Sequence, residues 1–386
     1  MESIVSELNQ VRDVEQKKAL NAWAKQGFRG SIIAGTGFGK SRCGVLAIEH
    51  SLKNGGNALI LVPTVQLQDQ FIEEFDKWGV STDNVEVLCY QSAYKLQGNK
   101  YSIVLCDEVH LGLSPQYRKF FDNNTYDKLL CMTATLPEEQ EYKDLLNILA
   151  PTVYKISLDQ CVAAGIVAPY HIYCKPLQLT PVEKKEYKNI NNSFVYYKYQ
   201  LGQFNAFDEA QRIMGDKNAH PSDKKSAVMF YRAIRERKKI VDFASNKVAE
   251  FQKLVLNNMG SKILAFSGAN DFTDQLCASV SPLSATYHSK KTKKQREKAL
   301  EDFRTNKINV LCSTKALNQG LDIPDANMGI MCGITSKALP MIQRIGRLIR
   351  FQEGKVGEIY ILYVKDSQEE KWLKNATKSL NNVNWL

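Results

Sequence analysis

The sequence predicts an α/β protein built from two parallel-sheet units in tandem, with a helical insertion between them. Three observations lead there. The 386 residues are about two and a half times the ~150-residue domain prior. Short runs rich in Ile, Val, Leu and Cys recur between helix-length connections, the pattern of strands buried on both faces of a parallel sheet. That pattern stops near residue 181 and restarts at Ser261. The expected division is residues 1–157 and 158–386, with the insertion at about 181–259 inside the second unit.

In the first unit the runs are SIIA at Ser31, ALILV at Ala58, VEVLCY at Val85, YSIVLCDE at Tyr101, KLLCMTA at Lys128 and TVYKI at Thr152. In the second they are SKILAFSG at Ser261, NVLCST at Asn309, MGIMCG at Met328 and EIYILYV at Glu358. The stretch between them is charged and aromatic and reads as helical, with NSFVYYKYQ and the basic run YRAIRERKKIVDFASNK. That basic run is either a solvated helix face or a surface for nucleic-acid phosphates.

Composition removes other classes. With 44% hydrophobic and 24% charged residues the chain is far from disordered and collagen-like extremes. Fifty-one Lys and Arg against 41 Asp and Glu give +10, which fits an anionic partner and equally a soluble basic protein. Nine cysteines, an odd number with no C-x-x-C pair, read as small core residues in a reducing compartment; Cys106, Cys131, Cys312 and Cys332 lie in strand-like runs. No apolar run approaches the ~18 residues of a membrane span. The start MESIVSELNQ lacks the basic-then-apolar order of a signal peptide, so a cytoplasmic protein, of a bacterial or phage-infected cell, is expected.

Two motifs carry chemistry. The strand SIIA runs into AGTGFGKS and then a helical segment, so Gly35, Thr36, Gly37, Phe38 and Gly39 form an anion-cradling turn before a helix N-terminus. As in the P-loop, Lys40 would reach the β- and γ-phosphates and Ser41 would hold Mg2+, although Ala34 stands where the general pattern has Gly. Downstream, the strand YSIVLC ends in Asp107 and Glu108, where a parallel sheet places its ligand crevice. Asp107 can hold Mg2+ and Glu108 can orient or deprotonate a water attacking the γ-phosphate.

AGTGFGKS, DEVH, the TAT of CMTATLP and QRIGRLIR, in this order, resemble the motif series of superfamily 2 helicases and translocases over nearly the whole chain. The resemblance implies two RecA-like domains that sandwich ATP and together grip a nucleic-acid strand. Arg347 and Arg350 are then arginine fingers, with Gln343 at the γ-phosphate or the attacking water. Gly320 and Asp322 of CSTKALNQGLDIP approach the nucleotide, while Ser313 and Thr314 lie near the nucleic-acid backbone. Ser267 and Gly268 of AFSGAND, Pro63 and Thr64 of LVPTVQLQDQF, and Gln91 and Ser92 of CYQSAYKL are further implied backbone contacts. Gln16 resembles the upstream glutamine that reads adenine, with Arg12 four residues before it rather than closer. His110, Thr133 and Thr135 would relay the nucleotide state between motifs.

The passage SLDQCVAAGIVAPYHIYCKPLQLTPVEKKEY resembles the interdomain connection of XPB- and UvsW-type DNA helicases. The implied function is an ATP- and Mg2+-dependent motor on single-stranded, forked or branched DNA, moving 3′-to-5′. It would unwind or branch-migrate DNA in replication, recombination or repair, and the compact chain suits a phage gene. The alternative is a nucleic-acid-stimulated ATPase that remodels RNA or translocates on duplex without unwinding. No membrane contact is expected, and no motif names a protein partner.

Overall fold

The computed structural model of the chain describes residues 2–386 except 54, 135, 138, 315–325, 336–355 and 379, and only the backbone of 2–9. The first sheet contains β1 (Arg29–Ala34), β2 (Ala58–Val62), β3 (Val85–Cys89), β4 (Lys100–Asp107), β5 (Thr125–Thr133) and β6 (Thr152–Ile156). Its order is β3-β2-β4-β5-β1-β6, parallel throughout. Successive side chains of a strand point to opposite faces, so a strand covered on both sides feeds two cores. That happens in β2: Ala58, Ile60 and Val62 pack in one cluster, and Leu59 and Leu61 in another. This is why ALILV reads as an unbroken apolar run.

Helices α1 (Glu2–Lys25), α2 (Lys40–Leu52), α3 (Val65–Lys77), α4 (Tyr90–Ala93), α5 (Lys119–Asn123), α6 (Gln140–Leu149) and α7 (Leu158–Ala163) connect and cover this sheet. The neighbouring strands β4, β5 and β1 end together, at Asp107, Thr133 and Ala34, with Asp107 opposite Met132 and Ile33 opposite Thr133. The turns that leave these strand ends therefore share one edge, the usual ligand crevice of an open parallel sheet.

The second sheet contains β7 (Tyr170–Leu177), β8 (Ile263–Phe266), β9 (Ser284–Tyr287), β10 (Val310–Ser313), β11 (Met328–Met331), β12 (Gly357–Val364) and β13 (Val383–Trp385). Its order is β13-β7-β12-β11-β8-β10-β9, again parallel. The edge strand β13 has no counterpart among the predicted runs: VNW is three residues long and mostly exposed, so it carries no apolar signal.

From Pro181 onward come α8 (Pro181–Gln200), α9 (Ala206–Gly215), α10 (Pro221–Asp242) and α11 (Ser245–Asn257). The start is specified locally: Thr180 caps α8 through a capping box with Glu183, with Pro181 in the first turn. Helices α8, α9 and α10 enclose a small core of Leu201, Ala206, Ala210, Ile213, Ala227 and Phe230. Helix α11 differs, because Phe251, Leu254 and Val255 pack with Ile263 and Ile330 of the second sheet. Helix α12 (Asn270–Ser279), α13 (Lys293–Arg304) and α14 (Gln368–Thr377) complete the described helices.

A buried ion pair joins α11 to α14. Lys247 Nζ donates to Glu369 Oε1 at 2.7 Å and to the Cys332 carbonyl at 3.0 Å, and Glu369 Oε2 accepts from the Val364 amide at 3.0 Å. Both side chains are fully buried. All nine cysteines are free and eight are buried. Among the described residues no helix is long and apolar enough to cross a membrane.

Candidate functional site

Between β1 and α2 the chain reverses tightly. Gly37 (φ 89°) and Gly39 (φ 88°) occupy the left-handed region, which a side chain disfavours. Space is short as well: a Cβ at Gly37 would lie 2.9 Å from Val167, and one at Gly39 only 2.3 Å from Gln16 Nε2. The loop delivers Lys40 and Ser41 to the first turn of α2, which carries no acidic residue to cancel its N-terminal positive potential. Lys40 Nζ is parked on the Ala34 carbonyl at 3.0 Å. Thr36 Oγ1 is buried without a hydrogen-bond partner. The Phe38 ring is buried near Tyr154, so of this residue only the backbone is left to serve a phosphate.

Beside this loop stands the carboxylate pair. Burial, and then the charge of Glu108, push the Asp107 carboxyl up to about 7 against the opposing pull of Lys40. Two carboxylates beside a single lysine leave negative charge for a cation, and Ser41 and Asp107 fit a Mg2+ ion by donor chemistry. Glu108 has φ 47°, an uncommon backbone state for a non-glycine residue. Its side chain is held in turn: Thr133 Oγ1 donates to Glu108 Oε2 at 3.0 Å, and His110 Nδ1 lies 3.4 Å from that oxygen and 3.3 Å from Thr133 Oγ1. Glu108 and His110 of one motif and Thr133 of another thus form one cluster.

Gln16 is placed differently from an open adenine reader. It is 1% exposed, and its Nε2 donates to the Phe38 carbonyl at 2.8 Å and the Gly39 carbonyl at 3.3 Å. Its Oε1 accepts from Arg42 Nη1 at 3.0 Å. The carboxamide therefore pins α1 to the phosphate loop at one end and to α2 at the other. Arg42, which sequence reasoning missed, also pairs with Asp13 and lies 4.2 Å over the Trp78 ring. Arg12 donates to the Ile166 carbonyl at 2.9 Å, in the passage toward the second sheet.

The implied nucleic-acid residues divide in two. Pro63, Thr64, Gln91 and Ser92 come together at the ends of β2 and β3: Gln91 Nε2 donates to the Pro63 carbonyl at 3.2 Å, Gln91 and Ser92 are exposed, and Thr64 Oγ1 has no partner. The hydroxyls of the second sheet face inward instead. Ser267 is 1% exposed and bonds Ala269 O and Thr273 Oγ1, while Ser313 is fully buried and donates to the Tyr287 carbonyl at 2.8 Å. Thr314 is spent on Asn270 Oδ1 at 2.9 Å. These three side chains brace strand ends. Gly268 packs against the Asp242 carboxylate, where a Cβ would lie 3.2 Å from it. Thr135, Gly320, Asp322, Gln343, Arg347 and Arg350 lie outside the described residues.

Two family models match the chain: "Type III restriction enzyme, res subunit" over residues 10–138 and "Helicase conserved C-terminal domain" over residues 246–352. A Sulfurisphaera tokodaii protein named DNA 3′-5′ translocase XPB2 is 27% identical over 90% of this chain and 80% of its own. The DNA 3′-5′ helicase XPB of Mycobacterium tuberculosis is 22% identical over 96% of this chain and 64% of its own. A Saccharomyces cerevisiae pre-mRNA-splicing ATP-dependent RNA helicase, PRP28, matches 36% of this chain and 24% of its own at 27% identity. Among solved structures, the Pyrococcus furiosus Hef helicase domain superposes with TM-score 0.57 at 15% identity, covering 95% of this chain and 99% of that one. Dbp5 of S. cerevisiae, bound to RNA and ADP BeF3, gives 0.58 at 14% identity, covering 96% and 89%. Both structural likenesses concern the fold.

Proposed function

Since the chain belongs to superfamily 2 of helicases and translocases and is an ATP-hydrolysing helicase, we propose that its track is DNA and that it moves 3′-to-5′, unwinding or branch-migrating forked and branched substrates. The observation that carries the DNA reading is the extent of similarity. The likeness to the DNA translocase named above runs through nine-tenths of the chain, whereas that to the RNA helicase is confined to about a third.

In this reading the glycine turn and Lys40 hold the triphosphate, and Glu108 orients the attacking water. Ser41 and Asp107 would hold Mg2+, which would supply neutralisation of phosphate charge. Thr133 and His110 keep the Glu108 carboxylate aimed and carry its position to the end of β5. Arg347, Arg350 and Gln343 would complete the site from the second unit, with Gly320 and Asp322 near the nucleotide, as the motif order implies. Guanidinium forks suit phosphate oxygens, so their arrival couples cleft closure to hydrolysis. Pro63, Thr64, Gln91 and Ser92 would hold the strand on the first unit.

A second reading, RNA remodelling, draws on the RNA helicase match. Displacement of streptavidin from biotin placed at either DNA end, against the same RNA, tests the proposal. ATP-dependent release only from the 5′-labelled DNA end supports 3′-to-5′ movement on DNA; release only from RNA refutes the DNA assignment.

A further inference from the structure

Between the two sheets the chain is packed rather than loose. Residues 157–170 leave β6, form α7 and enter β7, and along them Leu158, Ile166, Val167 and Tyr170 are buried. These side chains belong to one hydrophobic cluster that takes in Phe38 of the phosphate loop and Ile172, Leu264 and Ile359 of the second sheet. A single core therefore runs from the nucleotide loop through this passage into the second unit. Close-packed interiors have few voids to absorb a displacement, so they pass it on.

On one side the passage bears on the phosphate loop. Gly35 packs on the start of α7, where a Cβ would lie 3.0 Å from Leu158 Cα and 3.1 Å from its nitrogen. Only glycine allows so close an approach of two backbones. Gly37 rests on Val167 at the other end of the passage, and Arg12 of α1 donates to the Ile166 carbonyl at 2.9 Å. Two glycines that shape the phosphate turn thus lie directly against the passage, one at its beginning and one at its end.

On the other side the passage is fastened to the second sheet. Asp159 follows Leu158 in the chain, and both of its carboxylate oxygens are engaged. Oδ1 accepts from Tyr170 Oη at the start of β7, and Oδ2 accepts from the Asn381 amide at 2.9 Å, just before β13. Strand β7 lies between β12 and β13, so these bonds hold α7 to the sheet itself. Burial, and then the bond to Asp159, push the Tyr170 phenol above its ordinary range, so its hydroxyl stays a donor. Adjacent residues therefore serve opposite units: Leu158 bears on the phosphate loop and Asp159 on the second sheet.

We propose that Asp159 and Tyr170 are positioning residues that carry the state of the phosphate loop to the second unit, so that nucleotide binding changes the grip on DNA through them. This route is separate from the cluster of Glu108, His110 and Thr133 at the ends of β4 and β5. The inference rests on the DNA reading above and adds a path by which the nucleotide reaches the second unit.

The test measures DNA affinity of the full-length chain by fluorescence anisotropy at fixed salt, with and without Mg2+ and β,γ-imido-ATP, a non-hydrolysable analogue. The ratio of the two affinities is the coupling, and about 5- to 150-fold is usual between linked sites. Tyr170→Phe removes one hydroxyl and should bring this ratio close to one, in a folded chain whose nucleotide-free DNA affinity and DNA-free ATP turnover stay near wild type. Asp159→Ala, made at a half-buried side chain, removes both bonds and should act alike, while Asp159→Asn keeps an acceptor oxygen and should retain coupling. A wild-type ratio in Tyr170→Phe and Asp159→Ala would overturn the inference alone. Equal loss of DNA affinity with and without the analogue would overturn it as well, reducing the pair to a brace. A wild-type chain whose DNA affinity ignores the analogue would overturn it together with the motor reading on which it rests.

Discussion

Thr133→Val removes one hydroxyl and almost no volume, which makes it a sharp probe of the carboxylate cluster. Thr133 is fully buried and donates to Glu108 Oε2 at 3.0 Å. A hydrogen bond to a charged group contributes about 1.5–3 kcal/mol, and each ~1.4 kcal/mol is tenfold in rate. If that bond aims Glu108 at the attacking water, kcat for ATP hydrolysis should fall roughly 10- to 150-fold, with KM for ATP nearly unchanged. Thr133→Ser keeps the donor and should recover most of the rate. The assay is steady-state turnover with saturating DNA, accompanied by a thermal melt. A kcat within twofold of wild type, in a variant of unaltered melting temperature, would refute the view that Thr133 positions the catalytic carboxylate.

Lys40→Ala should abolish turnover while leaving the fold intact, read by phosphate release beside circular dichroism. Gln16→Ala separates two roles: a loop-holding glutamine predicts equal loss of ATP and GTP hydrolysis, whereas an adenine reader predicts loss for ATP alone. Lys247→Met leaves Glu369 buried without its partner and should destabilise the second unit by about 3–5 kcal/mol, seen in urea unfolding. Ser313→Ala should leave DNA affinity unchanged at fixed salt, because the hydroxyl is buried on the Tyr287 carbonyl; a weakened affinity in a variant of unaltered melting temperature would return Ser313 to the strand contacts.

The sheets were legible because apolar runs of four to eight residues have few other uses in a chain of this composition. The phosphate loop was legible for a backbone reason: Gly37 and Gly39 both take a positive φ, so the glycine spacing encodes the turn directly. Asp107 and Glu108 were found by their place at the end of a buried strand. What escaped was side-chain direction. A serine at a strand end reads the same whether its hydroxyl faces solvent or, as at Ser267 and Ser313, caps a neighbouring carbonyl. Gln16 uses main-chain carbonyls as partners, which leave no mark in residue identity. Lys247 and Glu369 meet across 122 positions, and nothing local announces either as buried. The role of α11 was hidden likewise, since its apolar face finds the second sheet rather than the adjoining helices.

The central claim is that ATP turnover here is driven by DNA. It is tested most directly by steady-state hydrolysis with single-stranded DNA, duplex DNA, a branched junction and RNA, at matched nucleotide concentration and fixed salt. Strong stimulation by DNA, greatest with the junction and absent in Lys40→Ala, is the predicted result. Stimulation by RNA alone would contradict it and leave the ATP site attached to a different track.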